Sequence, residues 1–381
     1  MGLMNSVMTV DREGLIADFM TLVSISSESR DEANVAAYIR GVVEELGYDV
    51  EEDGAAAIVG GNSGNLIVRV QGDPGKKTIL LMAHMDTAVP GLGINPIRHE
   101  DRITSDGKTV LGADDKAGIA GLLQMLRVLK RESDNHPPIE VVFTVCEEAG
   151  LLGAKALERS RLMAEFGFVV DSSGPLGFVV TEGPAQTKLH ARILGKAAHA
   201  GLAPEKGISA IEVAAHAIAK MNLGRIDEET TANIGTIKGG FATNIVCDRV
   251  ELHAEVRSLK SAKLASQVAG MNHALKETAD EYGAQVELQW TDSYPALHTD
   301  ENSFLRDIVH HAMASMDLVP RFGPTGGGSD ANVIASKGIP VLNLAMGYQQ
   351  VHTLEEWIRI DDLVHSAELI IEIVRECNRY A

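Results

Sequence analysis

The stretch Thr78–Asp86 reads Thr-Ile-Leu-Leu-Met-Ala-His-Met-Asp, an apolar run that ends in a histidine and an aspartate. Similar apolar runs occur at Val141–Cys146, Phe168–Val170 and Val341–Ala345. Short runs of this kind are typical of strands that are buried on both faces of a parallel sheet. The four runs therefore predict the central strands of one sheet.

Helical patterns surround these runs. In segment 31–47 the apolar residues lie on one helical face, and Gly47 ends the segment. A second helical pattern covers Ile119–Leu129, between the first two runs. Because strands and helices alternate, the sequence predicts an α/β domain with a largely parallel sheet that helices cover.

The pattern changes between about residues 183 and 292. Apolar and polar residues alternate there, which predicts half-buried strands. In chain order the segments are strand 189–193, helix 208–221, extended stretch 231–237, strand 250–256, helix 264–282 and strand 286–290. This βαββαβ order is ferredoxin-like. Since α/β signals resume afterwards, we expect residues 183–292 to be a lid and dimerisation domain inserted into a catalytic domain of residues 1–182 and 293–381.

The composition excludes several classes of function. The 381 residues include 34 Lys and Arg against 53 Asp and Glu, so the net charge of −19 argues against nucleic acid as a partner. The apolar runs are too short to span a membrane. Three dispersed cysteines, Cys146, Cys247 and Cys377, form neither a disulfide framework nor a CxxC metal motif. We therefore expect a soluble protein of the reducing cytosol, with Cys146 in the core.

Potential metal ligands follow the buried runs. Ligands of an open α/β sheet bind at the carboxyl ends of its strands. The residues found there, or at the start of the helix between the first two runs, are His84, Asp86, Asp114, Glu147, Glu148, Asp171 and His352. Any one of them could be a helix cap or a structural histidine. Five carboxylates and two histidines at one sheet edge would repel without a cation, so the set predicts a metal site.

The types of ligand narrow the choice of metal. Imidazole and carboxylate without thiolate suit zinc, cobalt or manganese in a catalytic site rather than a structural zinc knuckle. The glycine-rich run Gly326–Asp330 lacks the Lys-Ser/Thr ending of a phosphate-binding loop. It predicts a tight loop before a helix that Ser329 or Asp330 caps.

Five separated motifs resemble, in order and spacing, those of the co-catalytic zinc peptidases, the family that includes peptidase T, carboxypeptidase G and the aminoacylases. The motifs are His84-x-Asp86, Gly112-x-Asp114-x-Lys116, Glu147-Glu148, Asp171 and His352. The resemblance covers nearly the whole chain, including the predicted insertion. The run Leu111–Gly118, Leu-Gly-Ala-Asp-Asp-Lys-Ala-Gly, looks most like the peptidase T branch.

The resemblance implies two divalent metal ions, zinc in the first place, with Asp114 bridging them. His84 and Asp171 would complete one site, and Glu148 and His352 the other. Each metal would then have three protein ligands and room for a bridging water.

Two further acidic residues receive roles from the same resemblance. Asp86 would bind His84 and fix its tautomer instead of binding a metal. Glu147 would be the general base that takes the proton of the attacking water.

The predicted insertion carries candidate substrate-binding residues. The segment Lys196–Gly201 resembles the family segment whose histidine, here His199, binds the scissile carbonyl oxygen, often across a homodimer. A polar loop residue is the alternative. Asn244 and Arg257 fit family positions that contact substrate, and arginine can clamp a carboxylate with two hydrogen bonds. A structural asparagine and a surface ion pair are the alternatives for these two.

The resemblance also implies a substrate class, because an aspartate at the position of Asp171 accompanies amino- and dipeptidases. We therefore expect a two-metal aminopeptidase that cleaves short peptides. The chain is somewhat shorter than typical peptidase T and reads Asp-Ser-Ser-Gly from Asp171, so the resemblance does not define a tripeptide as the substrate.

Two alternatives remain at this point. An amidohydrolase of N-acyl amino acids or carbamoyl compounds would have the same fold, and a metal-binding protein could keep the fold without catalysis. Glu147 argues against the second alternative, because a structural metal site needs no spare carboxylate.

Overall fold

The computed structural model describes residues 10–131 and 136–380. Among these residues the chain divides into two compact units. Unit 1 comprises residues up to Thr181, His298–Pro324 and the residues from Ser329 on, and unit 2 comprises Glu182–Leu297 and Thr325–Gly328. The predicted insertion covers residues 183–292; the main segment of unit 2 ends at Leu297, and its last strand ends at Tyr294.

A nine-stranded sheet is the main sheet of unit 1 within the described residues. Its strands are β1 (Asp49–Glu52), β2 (Leu66–Val70), β3 (Ile79–His84), β6 (Ile139–Thr144), β7 (Phe166–Ser172), β8 (Phe178–Gly183), β14 (Leu297–His298), β15 (Arg321–Pro324) and β16 (Val341–Ala345). A smaller sheet pairs β17 (Trp357–Arg359), β5 (Arg102–Thr104) and β4 (Ile97–Arg98).

The centre of the main sheet is parallel. The four central strands lie in the order β6, β3, β7 and β16, and each pairs in parallel with its neighbour. Every residue of β3 and β6 is buried, which explains why their sequences are largely apolar. The strands β1, β2 and β8 pair antiparallel at the two sides of this centre. The predicted mostly parallel sheet is thus confirmed, and its central carboxyl ends share one edge.

The helices of unit 1 pack against this sheet or against one another. They are α1 (Arg12–Ser24), α2 (Ala33–Glu45), α3 (Ala55–Val59), α4 (Ala113–Arg131), α5 (Leu152–Ala156), α8 (Phe304–Ala314), α9 (Asp330–Ser336) and α10 (Ile360–Cys377), with a 3-10 turn at Arg159–Arg161. The long α4 contacts β3, β7, α1 and α10. Asp114 and Asp115 have non-helical dihedral angles, so the regular helix begins after Asp115.

Unit 2 has an antiparallel sheet and two helices. Its elements are β9 (Ala185–Leu194), α6 (Ala210–Ala219), β10 (Gly224–Arg225), β11 (Thr230–Gly239), β12 (Arg249–Ser258), α7 (Ser261–Tyr282) and β13 (Gln285–Tyr294), with a 3-10 turn at Pro204–Lys206. The strand order is β10-β11-β12-β9-β13. Alternate residues of β9, such as Leu189, Ala191 and Ile193, are buried with apolar residues of α6 and α7. The predicted βαββαβ order is confirmed, with the short β10 added.

None of the helices in residues 10–131 and 136–380 combines the length and the apolar character that crossing a bilayer requires.

Candidate metal centre

His84 and Asp171 lie at the carboxyl ends of the neighbouring strands β3 and β7. The Nε2 atom of His84 is 3.0 Å from Oδ1 of Asp114 and 3.6 Å from Oδ1 of Asp171. One potential ligand atom from each residue therefore lies within 4.8 Å of the other two. We name this group the His84 position.

A second group shares Asp114 with the first. The Nε2 atom of His352 is 3.5 Å from Oδ2 of Asp114 and 2.9 Å from Oε1 of Glu148. These three residues also offer ligand atoms within 4.8 Å of one another, and we name them the His352 position. Asp114 turns one carboxylate oxygen toward each position, so it lies between the two groups.

The donor set fits divalent cations. Oε1 of Glu148 is buried and accepts no hydrogen bond, although His352 is within contact distance. Oε1 of Glu148 and Nε2 of His352 are close to each other but not aligned for a hydrogen bond, an arrangement that suits two ligands of one cation. Histidine nitrogen and carboxylate oxygen are ligands for zinc and related transition metals.

The charges of the cluster shift its pKa values strongly. Burial alone would raise the pKa of Asp114, but His352 and His84 hold that pKa well below its usual range. Burial raises the pKa of Asp171 well above its usual range, and the nearby Asp114 adds to this shift. The Asp114 and Glu148 carboxylates raise the pKa of His352 to about 10. Bound cations would take the place of the protons that this cluster otherwise holds.

Asp86 connects His84 with the glutamate pair. Its Oδ1 atom is 3.3 Å from Nδ1 of His84 and accepts a hydrogen bond of 2.9 Å from the N–H of Glu147. Its Oδ2 atom accepts hydrogen bonds from the hydroxyl of Ser29 and the N–H of Glu148. Burial opposes the ionisation of Asp86, but these contacts, His84 foremost, keep its pKa below the usual value.

Glu147 lies beside the cluster without belonging to either position. Its side chain is buried, and burial together with the neighbouring Glu148 raises its pKa well above the usual range. An oxygen of Glu147 lies within 4.8 Å of ligand atoms of His84 and Glu148. The carboxylate is therefore within reach of the cluster and has a high affinity for protons.

Two buried residues that sequence reasoning missed bind Asp114. The hydroxyl of Tyr348 lies 3.4 Å from Oδ1 of Asp114 and 3.2 Å from Oδ1 of Asp171. Glu356 accepts the N–H groups of Leu111 and Gly112 at 2.8 Å and that of Asp114 at 3.1 Å. Burial raises the pKa of Glu356 to about 7. For Glu356 the local signal was a charged residue directly before the short strand β17.

Lys116 was part of the recognised motif but received no role from the sequence. Its ammonium group is fully buried and donates to the carbonyl of Met85 and to the hydroxyls of Ser27 and Thr87, at 2.9 and 3.1 Å. Burial lowers the pKa of Lys116 to about 8. The side chain therefore holds the segment that follows His84.

The glycine-rich run leads into a helix, as the sequence indicated. Ser329 is the N-cap of α9, and its N–H donates to the side chain of Asn332 at 3.0 Å. Asp330 is buried, accepts a hydrogen bond of 2.5 Å from the hydroxyl of Thr144, and has a pKa that burial raises to about 6.

Two of the predicted substrate-binding residues lie together in unit 2. The backbone of His199 forms a bridge with Ile245, and the carbonyl of Asn244 accepts the N–H of Ala200 at 3.0 Å. The exposed imidazole of His199 accepts the N–H groups of Gly201 and Leu202 at Nδ1. Its Nε2 atom then carries the proton and can donate to a ligand.

Arg257 forms an ion pair within unit 2. Its Nε atom donates to Oε1 of Glu255 at 2.8 Å, and its terminal nitrogen lies 3.4 Å from Oε2. Gln186 donates to the same glutamate at 2.8 Å. The ion pair anticipated as the alternative is therefore present, and the guanidinium fork already has a carboxylate partner.

Comparisons with known proteins agree with this fold. Residues 184–283 match the family model described as a peptidase dimerisation domain, and residues 65–202 match the model described as peptidase family M28. The uncharacterized protein YqjE of Bacillus subtilis is 45% identical, over 96% of this chain and 99% of that protein.

Solved structures extend the similarity to three dimensions. The crystal structure of aminopeptidase PepT from Bacillus cereus has a TM-score of 0.88 and 46% identity, covering 97% of this chain and 99% of that one. A tripeptidase from Staphylococcus aureus has a TM-score of 0.93 and 39% identity, covering 97% of this chain and 100% of that one. The fold and these matches define a peptidase. The chain belongs to the peptidase T family.

Proposed function

We propose that this protein is an aminopeptidase that hydrolyses short peptides and uses two divalent metal ions. The ligand types favour zinc, with cobalt or manganese as substitutes. The observation that carries this proposal is the sharing of Asp114 between the His84 and His352 positions. A carboxylate between two ligand groups is what a two-metal hydrolase needs. The similarity to PepT and to the tripeptidase supports the substrate class.

The ligands divide into two sets of three. His84 and Asp171 would hold one ion, Glu148 and His352 the other, and Asp114 both. Ions bound there would lower the pKa of a water molecule and polarise the substrate carbonyl. Asp86 would orient His84 through the contact at Nδ1, where a carboxylate fixes the imidazole tautomer.

Glu147 would act as the general base. Its buried carboxylate would take a proton from water as the oxygen attacks the peptide carbonyl. The same group would return the proton to the amine nitrogen as the carbon–nitrogen bond breaks. The position of Glu147 supports this role, because an oxygen of its carboxylate lies within 4.8 Å of ligand atoms of His84 and Glu148.

Unit 2 would supply substrate contacts and a homodimer interface, with unit 1 as the catalytic domain and unit 2 as the lid. The match to a peptidase dimerisation domain supports a dimer. His199 would donate from Nε2 to the carbonyl oxygen at the reacting centre of the partner chain. Asn244 would contact the substrate from the segment next to His199. Arg257 would bind the substrate carboxylate, in competition with Glu255.

Cytosolic location is also part of the proposal. All three cysteines, Cys146, Cys247 and Cys377, are buried and free. Reduced thiols of this kind are common in the cytosol.

Metal removal and substrate choice test the function together. The purified protein is stripped with a chelator and reconstituted with Zn²⁺, Co²⁺ or Mn²⁺. Hydrolysis is then measured for a tripeptide, its N-acetylated form and an N-acetyl amino acid. We expect the free tripeptide to be cleaved at its first bond, the activity to vanish on stripping, and one of the metals to restore it.

Two results would contradict the proposal. Faster cleavage of the N-acetyl amino acid would favour the amidohydrolase alternative. Full activity of the stripped protein would exclude a metal-dependent mechanism.

A further inference from the structure

Glu356 occupies an unusual place for a carboxylate. Its side chain is 1% exposed and lies four residues after His352. Both oxygens accept backbone N–H groups of the loop that carries Asp114. Taking a carboxylate out of water is costly unless hydrogen bonds compensate. Three such bonds from one loop therefore fix that loop relative to Glu356.

The ligands of the two positions are held in different ways. His84 and Asp171 project from adjacent paired strands, whose register is set by the sheet. The side chain of His352 is 53% exposed, and the residue has a left-handed φ of 61° in a turn outside the strands. Its place therefore depends on what anchors the turn.

Glu356 ties this turn to Asp114 across 242 residues of sequence. Tyr348 contacts the side chain of Asp114 rather than its backbone: the hydroxyl lies 3.4 Å from Oδ1 of Asp114 and 3.2 Å from Oδ1 of Asp171. Tyr348 thus holds Asp114 toward the His84 position, and Glu356 joins Asp114 to the turn that carries His352.

We propose that Glu356 is a positioning residue that sets the separation of His352 and Asp114, and thereby controls metal occupancy of the His352 position but not of the His84 position. The inference rests on the proposed two-metal function. It assigns to Glu356 a role in loading one of the two ions, without contact to substrate or metal.

The variants Glu356→Gln and Glu356→Ala test this role. Glutamine keeps the shape but turns an NH₂ group toward a backbone N–H, so at least one of the three bonds is lost. Glu355→Ala is the matched control, because Glu355 is the adjacent residue and its side chain is exposed. His352→Ala provides the reference for a missing ligand.

The readout is Zn²⁺ binding to the stripped full-length chain, by calorimetry and by metal analysis after dialysis. We expect two ions per chain for the wild type and for Glu355→Ala. The Glu356 variants should bind the first ion with unchanged affinity and the second at least about tenfold more weakly, as for other residues that orient metal ligands. Excess Zn²⁺ should restore kcat in these variants but not in His352→Ala.

The outcomes separate this inference from the proposed function. Unchanged binding of both ions would overturn the positioning role, and equal weakening of both would reduce Glu356 to a general structural residue. Circular dichroism and the retained first ion report whether the variants fold. A wild type that binds two ions but cleaves no peptide would refute the peptidase proposal while the inference about Glu356 stands.

Discussion

Glu147 and Glu148 are adjacent in sequence but differ in their surroundings. The N–H groups of both donate to Asp86, which places the two side chains at the cluster from one short segment. The carboxylate of Glu148 lies 2.9 Å from His352, whereas Glu147 belongs to neither the His84 nor the His352 position. One residue is therefore suited to bind a cation and its neighbour to carry a proton.

Replacement of Glu147 tests this division. We expect Glu147→Ala to bind two Zn²⁺ ions per chain and to lose about 10²- to 10⁴-fold in kcat, because the ligands remain while the proton acceptor is gone. Metal analysis and kinetics on one preparation measure both effects. The control Glu148→Ala should lose an ion. If Glu147→Ala loses the ion instead, the roles of the pair are reversed.

The sequence could predict the ligand candidates because most of them follow a buried strand at a shared sheet edge. His84 and Asp171 are examples, and the structure brings their side chains within 3.6 Å. Tyr348 and Glu356 could not be predicted in the same way. Their contacts with Asp114 join residues more than 200 positions apart, and no local pattern encodes such a pairing.

At the scale of elements, the start of α4 has a conformation that the apolar periodicity of the sequence did not predict. The apolar pattern predicted its helix well, but Asp115 binds the N–H groups of His84 and Gly118 through its carboxylate. Side-chain bonds of this kind compete with helical hydrogen bonds. Asp114 therefore precedes the regular helix in an extended conformation, which turns its side chain toward His84.

The pairing of β3 with β7 depends on the close approach of the two strand backbones at Gly167. A Cβ atom added there would lie 2.4 Å from the carbonyl oxygen of Leu80, its register partner on β3. We expect Gly167→Ala to lower the free energy of unfolding by about 1 to 3 kcal/mol, as overpacking does in other cores. Displaced strands should also weaken Zn²⁺ binding at the His84 position. Urea titration and calorimetry measure the two effects.

Gly41→Ala is the matched control in α2. Nothing lies within 4 Å of an added Cβ there, so the change should stabilise the helix by up to ~1 kcal/mol. Equal stability changes in the two variants would show that the space at Gly167 is not limiting.

At the scale of the whole molecule, the proposed dimer makes a prediction about His199. The hybrid pairs a Glu147→Ala chain with a His199→Ala chain, carries two different affinity tags, and is purified through both. Each homodimer should be nearly inactive. If His199 serves the partner's site, the hybrid has one complete site and should recover roughly half of the wild-type activity per dimer.

The control for the hybrid is a dimer with both substitutions on one chain and a wild-type partner. In the shared-site arrangement this dimer has no complete site, so it should stay inactive. An inactive first hybrid with an active control would place His199 in the site of its own chain.

The link between Glu356 and Asp114 also bears on biosynthesis. The two residues are 242 positions apart, and at about 5 to 20 residues per second the ribosome needs roughly 12 to 48 seconds to make that interval. From the synthesis of Asp171 until that of His352, the nascent chain contains His84, Asp114 and Asp171 but lacks His352. The newborn protein can therefore gather the first ion's ligands before it has those of the second, so we expect cellular metal uptake to follow the direction of translation.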